Sequence, residues 1–183
     1  MLWPVLVDHY TTVLADNELP AYLARLLMRL HAHYLYLTEQ ITELETELEQ
    51  ELGHDETGQH LQTIPGIGPI TASVLSSQLG DGKQYASSRD FAASTGLVPC
   101  QYSTGGRNTL LGISKRGDKN LRRLLVQCAR VFIQRIEHQS GSLAEWVKTQ
   151  LERKHSNVVA CALANKMARI AWAITTRQTV FER

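Results

Sequence analysis

Eight residues, Leu23, Leu27, Leu30, Tyr34, Leu37, Ile41, Leu44 and Leu48, follow one another at spacings that alternate between four and three. No other feature restricts the fold as tightly, because a seam with a mean period of 3.5 residues stays on one side of an α-helix and on no side of a strand. Pro20 stands where such a helix would start and Gly53 where it would stop. Glu39, Glu43, Glu45, Glu47, Glu49 and Glu51 fill the remaining positions as a solvated face. A stripe two positions in seven wide is too narrow for a helix lying on a globular core. The pattern therefore predicts a coiled coil, paired with another chain or with an antiparallel neighbour, over a lone amphipathic helix packed on its own domain.

The charge follows the same division. Residues 1–63 carry 2 Lys/Arg against 11 Asp/Glu, and residues 64–183 carry 17 against 7, so a net charge of +1 hides balances of −9 and +10. A basic half of this kind expects a polyanion partner, and the acidic half expects a different role. The organisation that follows is a short lead segment over 1–19, a coiled-coil-like connector helix over 20–53 and an α-helical domain over 54–183. The fold class is mainly α.

Within that domain, residues 61–80 read LQTIPGIGPITASVLSSQLG. Two prolines and two glycines make a tight turn, after which Ile70, Val74, Leu75 and Leu79 recur at helical spacing. The stretch resembles a helix-hairpin-helix DNA-binding motif. Gly66 and Gly68 would let the backbone approach a phosphate, and the next helix would offer it free N–H groups and the positive end of its dipole. A short helix is expected over 88–95, then a looped or extended passage over 96–104 that contains Pro99. Asp118 is placed to cap a helix whose apolar face is Leu121, Leu124, Leu125, Cys128, Phe132, Ile133 and Ile136. Two further helices are expected near 143–152 and 157–176, the second rich in alanine. Nothing reads convincingly as a strand.

Several classes are excluded. Cys100, Cys128 and Cys161 are scattered, with no CxxC or Cys-His pairing, so neither a disulfide framework nor a zinc site is expected. His31 and His33, the one close pair among seven histidines, would point to different helix faces, and no metal site built by this chain is expected. The apolar patch over 2–7 lacks the flanks of a signal peptide, and Asn165, Lys166 and Arg169 interrupt the run over 158–174, so no membrane span is expected. A soluble protein, cytoplasmic and associated with the nucleoid, is the expectation.

The chemistry concentrates in residues 102–123, YSTGGRNTLLGISKRGDKNLRR. Between Arg107 and Arg135 stand eight basic residues and one acid, Asp118. Arg107, Lys115, Arg116, Lys119, Arg122 and Arg123 are the candidate phosphate contacts, giving affinity by neutralisation without reading base sequence. Ser103 and Thr104 precede Gly105 and Gly106. On residue pattern alone a hydroxyl there is a turn-former or a phosphate donor. No histidine lies near in sequence to activate it, so a Ser-His hydrolase arrangement finds no local support.

Three blocks, TIPGIGPITASVL, GDGKQYASSRDFAASTGLVPCQYSTGGRNTLLGISKRGDKNLRRLL and ALANKMARIAWAI, resemble successive parts of one family. It is the C-terminal transposase region of the insertion-sequence family numbered one-hundred-and-ten, with the closest likeness to its eleven-eleven subgroup. The likeness runs from about Pro20 to the end of the chain. It implies a bridge-RNA-guided DNA recombinase in which a serine attacks a DNA phosphorus and forms a phosphoserine link. Ser103 corresponds in position to that serine, with Thr104 as the alternative. The resemblance further implies DNA as substrate, a structured guide RNA as partner, and Mg²⁺ held by an amino-terminal RuvC-like acidic domain. The 19 residues before Pro20 do not supply that domain, so the expectation is a transposase inactive in isolation. The alternative is a truncated, non-catalytic nucleic-acid-binding and dimerisation module.

The seam also predicts assembly. Its flanks are almost all Glu, and like charges facing each other disfavour a parallel self-pair, so an antiparallel homo-oligomer or a larger composite is expected. Ile41→Asp combined with Leu44→Asp should abolish self-association and leave the domain over 54–183 folded. Sedimentation measures it, and a wild-type monomer would defeat the coiled-coil reading.

Overall fold

The computed structural model describes residues 20–102 and 110–182, with Ser103, Thr104 and Arg107 outside the described residues. The chain divides into two compact units, Met1–Glu47 and Leu48–Arg183. In the first, helix α1 begins at Ala21 and runs without a break to His54, in the second unit. Pro20 opens it, its carbonyl accepting from the N–H groups of Leu23 and Ala24. Leu30, Ile41 and Leu44 are 55, 56 and 64% exposed, so this part of the seam lies open along the helix. The hydroxyls of Thr38, Thr42 and Thr46 each donate to the carbonyl four residues back, at 2.8–2.9 Å, and so need no partner outside the helix.

The second unit takes up the last turns of α1 and buries Leu52. It continues with α2 (Glu56–Gln62), α3 (Pro69–Leu79), α4 (Ser88–Ser94), β1 (Pro99–Gln101), β2 (Leu110–Ile113) and α5 (Lys119–Gln134). A short 3₁₀ turn (Ile136–His138), α6 (Ser142–Leu151) and α7 (Ser156–Arg177) complete it.

Helix α7 is the element on which α2, α3, α4, α5 and α6 all pack. Ala160, Ala164, Ala168 and Ala171 are buried along it, and small side chains at spacings of four, four and three let neighbouring backbones approach closely. Leu163 and Met167 fill the spaces between, against a core that includes Leu61, Leu75, Phe91, Leu121 and Leu125. By length and composition α7 could cross a membrane, yet half of its most apolar stretch is buried inside the fold, which marks it as a core helix.

The mainly α architecture holds, with three local differences. Two short strands pair antiparallel, Pro99 opposite Ile113 and Gln101 opposite Leu110, where the sequence offered a looped or extended passage over 96–104 and no convincing strand. Strands of three and four residues are too short to show alternation, and Pro99 sits at a strand start where its missing N–H costs nothing. Helix α3 buries Thr71, Ala72, Leu75 and Leu79, and turns Ile70 outward. Helix α5 stops at Gln134, and Ile136 belongs to the 3₁₀ turn.

The backbone between β2 and α5 is held by a crossing with the end of α4. Asp118 N–H donates to Ser94 O (3.0 Å), Lys115 N–H to Gly96 O (3.1 Å) and Ser114 N–H to Val98 O (2.8 Å). Gly117 makes the crossing possible: its φ is +129°, and a Cβ there would run into the Ser94 carbonyl. Gly117→Ala should therefore lower stability by about 2 kcal/mol or more. Gly112→Ala is the control, since a Cβ there meets open space. Urea denaturation decides, and equal midpoints for the two variants would remove the constraint assigned to Gly117.

Candidate nucleic-acid interface

The crossing fixes the basic segment in space. Lys115 and Arg116 are exposed immediately after β2, and Lys115 holds a left-handed φ of +56°, uncommon for a residue with a side chain. One turn on, Lys119 and Arg123 are exposed on α5. Arg122 is half-buried, and its Nη1 donates to Thr95 O (2.8 Å) and Asp118 O (3.4 Å), so part of its guanidinium serves the fold. Among the described residues the ion pair is Lys83–Asp81 on the surface, and none of Lys115, Arg116, Lys119 and Arg123 has a carboxylate within 4.0 Å.

Asp118 caps α5 as its position in the sequence suggested, accepting from Leu121 N–H at 2.7 Å. It also accepts from Gln78 Nε2 of α3 at 2.9 Å, a link across 40 residues with no signal in the sequence. These bonds, Leu121 N–H first and Gln78 second, hold its carboxyl below the usual aspartate value. One side chain thus joins the start of the basic helix to the helix that follows the glycine turn.

The turn between α2 and α3 shows that its two glycines differ. Gly66 has a φ of +91°, and a Cβ there would meet Cys128 O at 3.0 Å and Met167 Cε at 3.4 Å, so packing against α5 and α7 demands glycine. Gly68 is the N-cap of α3, with Pro69 following, and a Cβ on it would meet nothing. Thr71 Oγ1 accepts from the Cys128 thiol (3.3 Å), and burial raises the pKa of that thiol. Both glycines are exposed, with Ile70 beside Gly68, and only at Gly68 is there room for a side chain.

Ser103, Thr104 and Arg107 belong to the connection between the end of β1 at Gln101 and the start of β2 at Leu110, outside the described residues. Among the described residues there is no grouping of three or more His, Cys, Asp or Glu that could hold a metal ion.

These features define a helical domain with an unneutralised basic ledge beside a strand hairpin, suited to a polyanion. Residues 58–145 match the family described as Transposase IS116/IS110/IS902. The chain is 70% identical over 177 residues to a transposase for insertion sequence element IS1328 from Yersinia enterocolitica, covering 97% of the chain and 53% of that protein. It is 42% identical over 172 residues to a probable family 20 transposase from Pseudomonas aeruginosa, covering 93% of the chain and 51% of that protein. Over 157 residues it is 40% identical to a transposase for insertion sequence element IS1111A from Coxiella burnetii, covering 86% and 43%, which fits the eleven-eleven subgroup. The chain spans about half the length of these relatives.

Because the folded-state pKa of Asp118 is depressed, its contribution is complete above the unfolded value of about 3.9 and is lost as pH falls through that value towards the lower folded one. Asp118→Ala should cost about 1 kcal/mol at neutral pH. The gap between wild type and variant should close on acidification below pH of about 4. Urea midpoints across pH test it, and a gap unchanged by acid would mean that the carboxylate charge is not what matters.

Proposed function

We propose that this chain is the DNA-acting part of an insertion-sequence transposase, and that Ser103 is its nucleophile, with Thr104 the alternative. The observation that carries the reading is the exposed set Lys115, Arg116, Lys119 and Arg123, without a carboxylate partner among the described residues, on the crossing and the first turns of α5 beside the two strands whose connection contains Ser103. Attack of the Ser103 Oγ on a phosphorus exchanges one phosphoester for another. The serine proton departs, the bond to a deoxyribose oxygen breaks, and that oxygen takes up a proton. The energy of the ester is kept in the phosphoserine, so joining is the same step run with a different hydroxyl. Arg107, Lys115 and Arg116 would stabilise the charge growing on the phosphoryl oxygens. Lys119, Arg122, Arg123 and the Gly68 side of the turn would hold the flanking phosphates.

The described residues do not fit a Mg²⁺ site, so no step is routed through one; on the resemblance, that ion belongs to an acidic domain of the family's longer members. The exposed Leu30, Leu37, Ile41 and Leu44 of the α1 seam support assembly through a second copy, and a structured guide RNA is the expected further partner. The site of action would be the cytoplasm, at the nucleoid. A second reading, a non-catalytic nucleic-acid-binding and dimerisation module, draws support from the same seam and from the lack of a metal-holding group among the described residues.

Covalent trapping of labelled DNA on a denaturing gel, in a protein of the relatives' full length carrying these residues, tests the chemistry. Ser103→Ala should abolish the adduct and Thr104→Ala should spare it. The reverse result moves the nucleophile to Thr104, and an adduct that survives both substitutions excludes the two hydroxyls. For this chain alone, duplex binding should weaken with salt by about 0.9 logarithmic units per phosphate neutralised. Gly68→Ala should weaken duplex binding with the fold intact.

A further inference from the structure

Three depressions follow one another along the open side of α7. The first, at its start, is lined by Arg130, Ser156 and Asn157. The second, about 660 Å³, shares Asn157 with the first and runs between α7 and the strands, walled by Leu97, Leu111, Ile113, Val158 and Cys161, with Lys115 at its edge. The third, about 580 Å³, shares Ala162 and Asn165 with the second and reaches Lys166, Arg169 and Trp146. Together they track α7 from Ser156 to Ala173, roughly 26 Å at 1.5 Å per residue.

Two properties of this groove select its occupant. Its lining contains Arg130, Lys115, Lys166 and Arg169 and no Asp or Glu, and none of the four cations has a carboxylate within 4.0 Å among the described residues. Its middle is apolar, and its far end carries a half-buried tryptophan with Lys166 Nζ 4.5 Å from the ring centroid. Cations spaced along an apolar floor with an aromatic platform suit an unpaired strand, whose phosphates need neutralising while its bases need a surface to lie on. A paired duplex would offer its bases to no such floor. At about 3.4 Å per stacked nucleotide the groove matches roughly seven nucleotides.

We propose that this groove binds single-stranded nucleic acid, separately from the duplex contacts of the Lys119 and Arg123 face. The proposal deepens the DNA-acting reading above, and its test separates the two. The full chain is titrated with a labelled twenty-nucleotide single-stranded DNA, the same sequence as RNA, and the same sequence as duplex DNA. Lys166→Gln with Arg169→Gln should weaken single-strand binding at least tenfold, lower its salt slope by about 1.4 units at 0.7 per phosphate, and change duplex binding less than twofold. Val158→Glu, at a position 54% exposed and so compatible with folding, should do the same by placing a carboxylate on the floor. Arg123→Glu should show the opposite preference. A tighter complex with RNA or with DNA identifies the strand, and either supports the proposal. Equal losses for strand and duplex would make the groove part of the duplex surface, and unchanged strand binding in both groove variants would remove it; either overturns the proposal. Strand binding by a protein that ignores duplex would leave the groove standing and defeat the DNA-acting reading.

Discussion

The second unit depends on the burial of one helix. Helix α7 meets five others, and its buried alanines let them come close enough for Leu163 and Met167 to fill the remaining space. Deleting a methylene group from such a core leaves a cavity that its neighbours cannot close. The same helix serves two solvents, since one side is fully buried while the other presents Asn157, Val158, Asn165 and Arg169 to the surface. The basic ledge is secured to this core at second hand, through α5, the Asp118 cap and the crossing with the end of α4.

Much of this was legible in the sequence. The period of the seam located α1, and Asp118 with the apolar face after it located α5, because both signals are local and repeated. The strand pair was not legible: seven strand residues with a proline among them give no alternation to read. Nor was the division of labour among like residues. Gly66 and Gly68 look equivalent in the sequence, yet one is dictated by contact with Cys128 and Met167 and the other faces open space. Arg122 and Arg123 are neighbours in a basic run, yet the first clasps the Thr95 carbonyl. Such differences arise from partners 27 or more residues away, which local pattern does not encode. The groove along α7 escaped the reading for the same reason, since its cations come from three separate parts of the chain.

Binding and chemistry make different demands on such a domain. Gripping a polyanion needs unneutralised cations held apart by a stiff backbone, and the crossing at 94–98 and 114–118 provides that stiffness next to exposed Lys115 and Arg116. Phosphoryl transfer needs in addition an attacking oxygen aligned with the bond that breaks, a matter of a few tenths of an ångström.

The last residues carry one more contact: Phe181 N–H donates to the Thr63 hydroxyl at 2.8 Å, at the threshold of the glycine turn. Together with α7 it ties residues that come late in the sequence to the start of the turn. During synthesis the helices α2 to α6 emerge before α7, the helix on which each of them packs, so the apolar faces that meet α7 stay uncovered until it follows. A messenger interrupted before α7 would therefore leave those faces open to proteolysis and to one another.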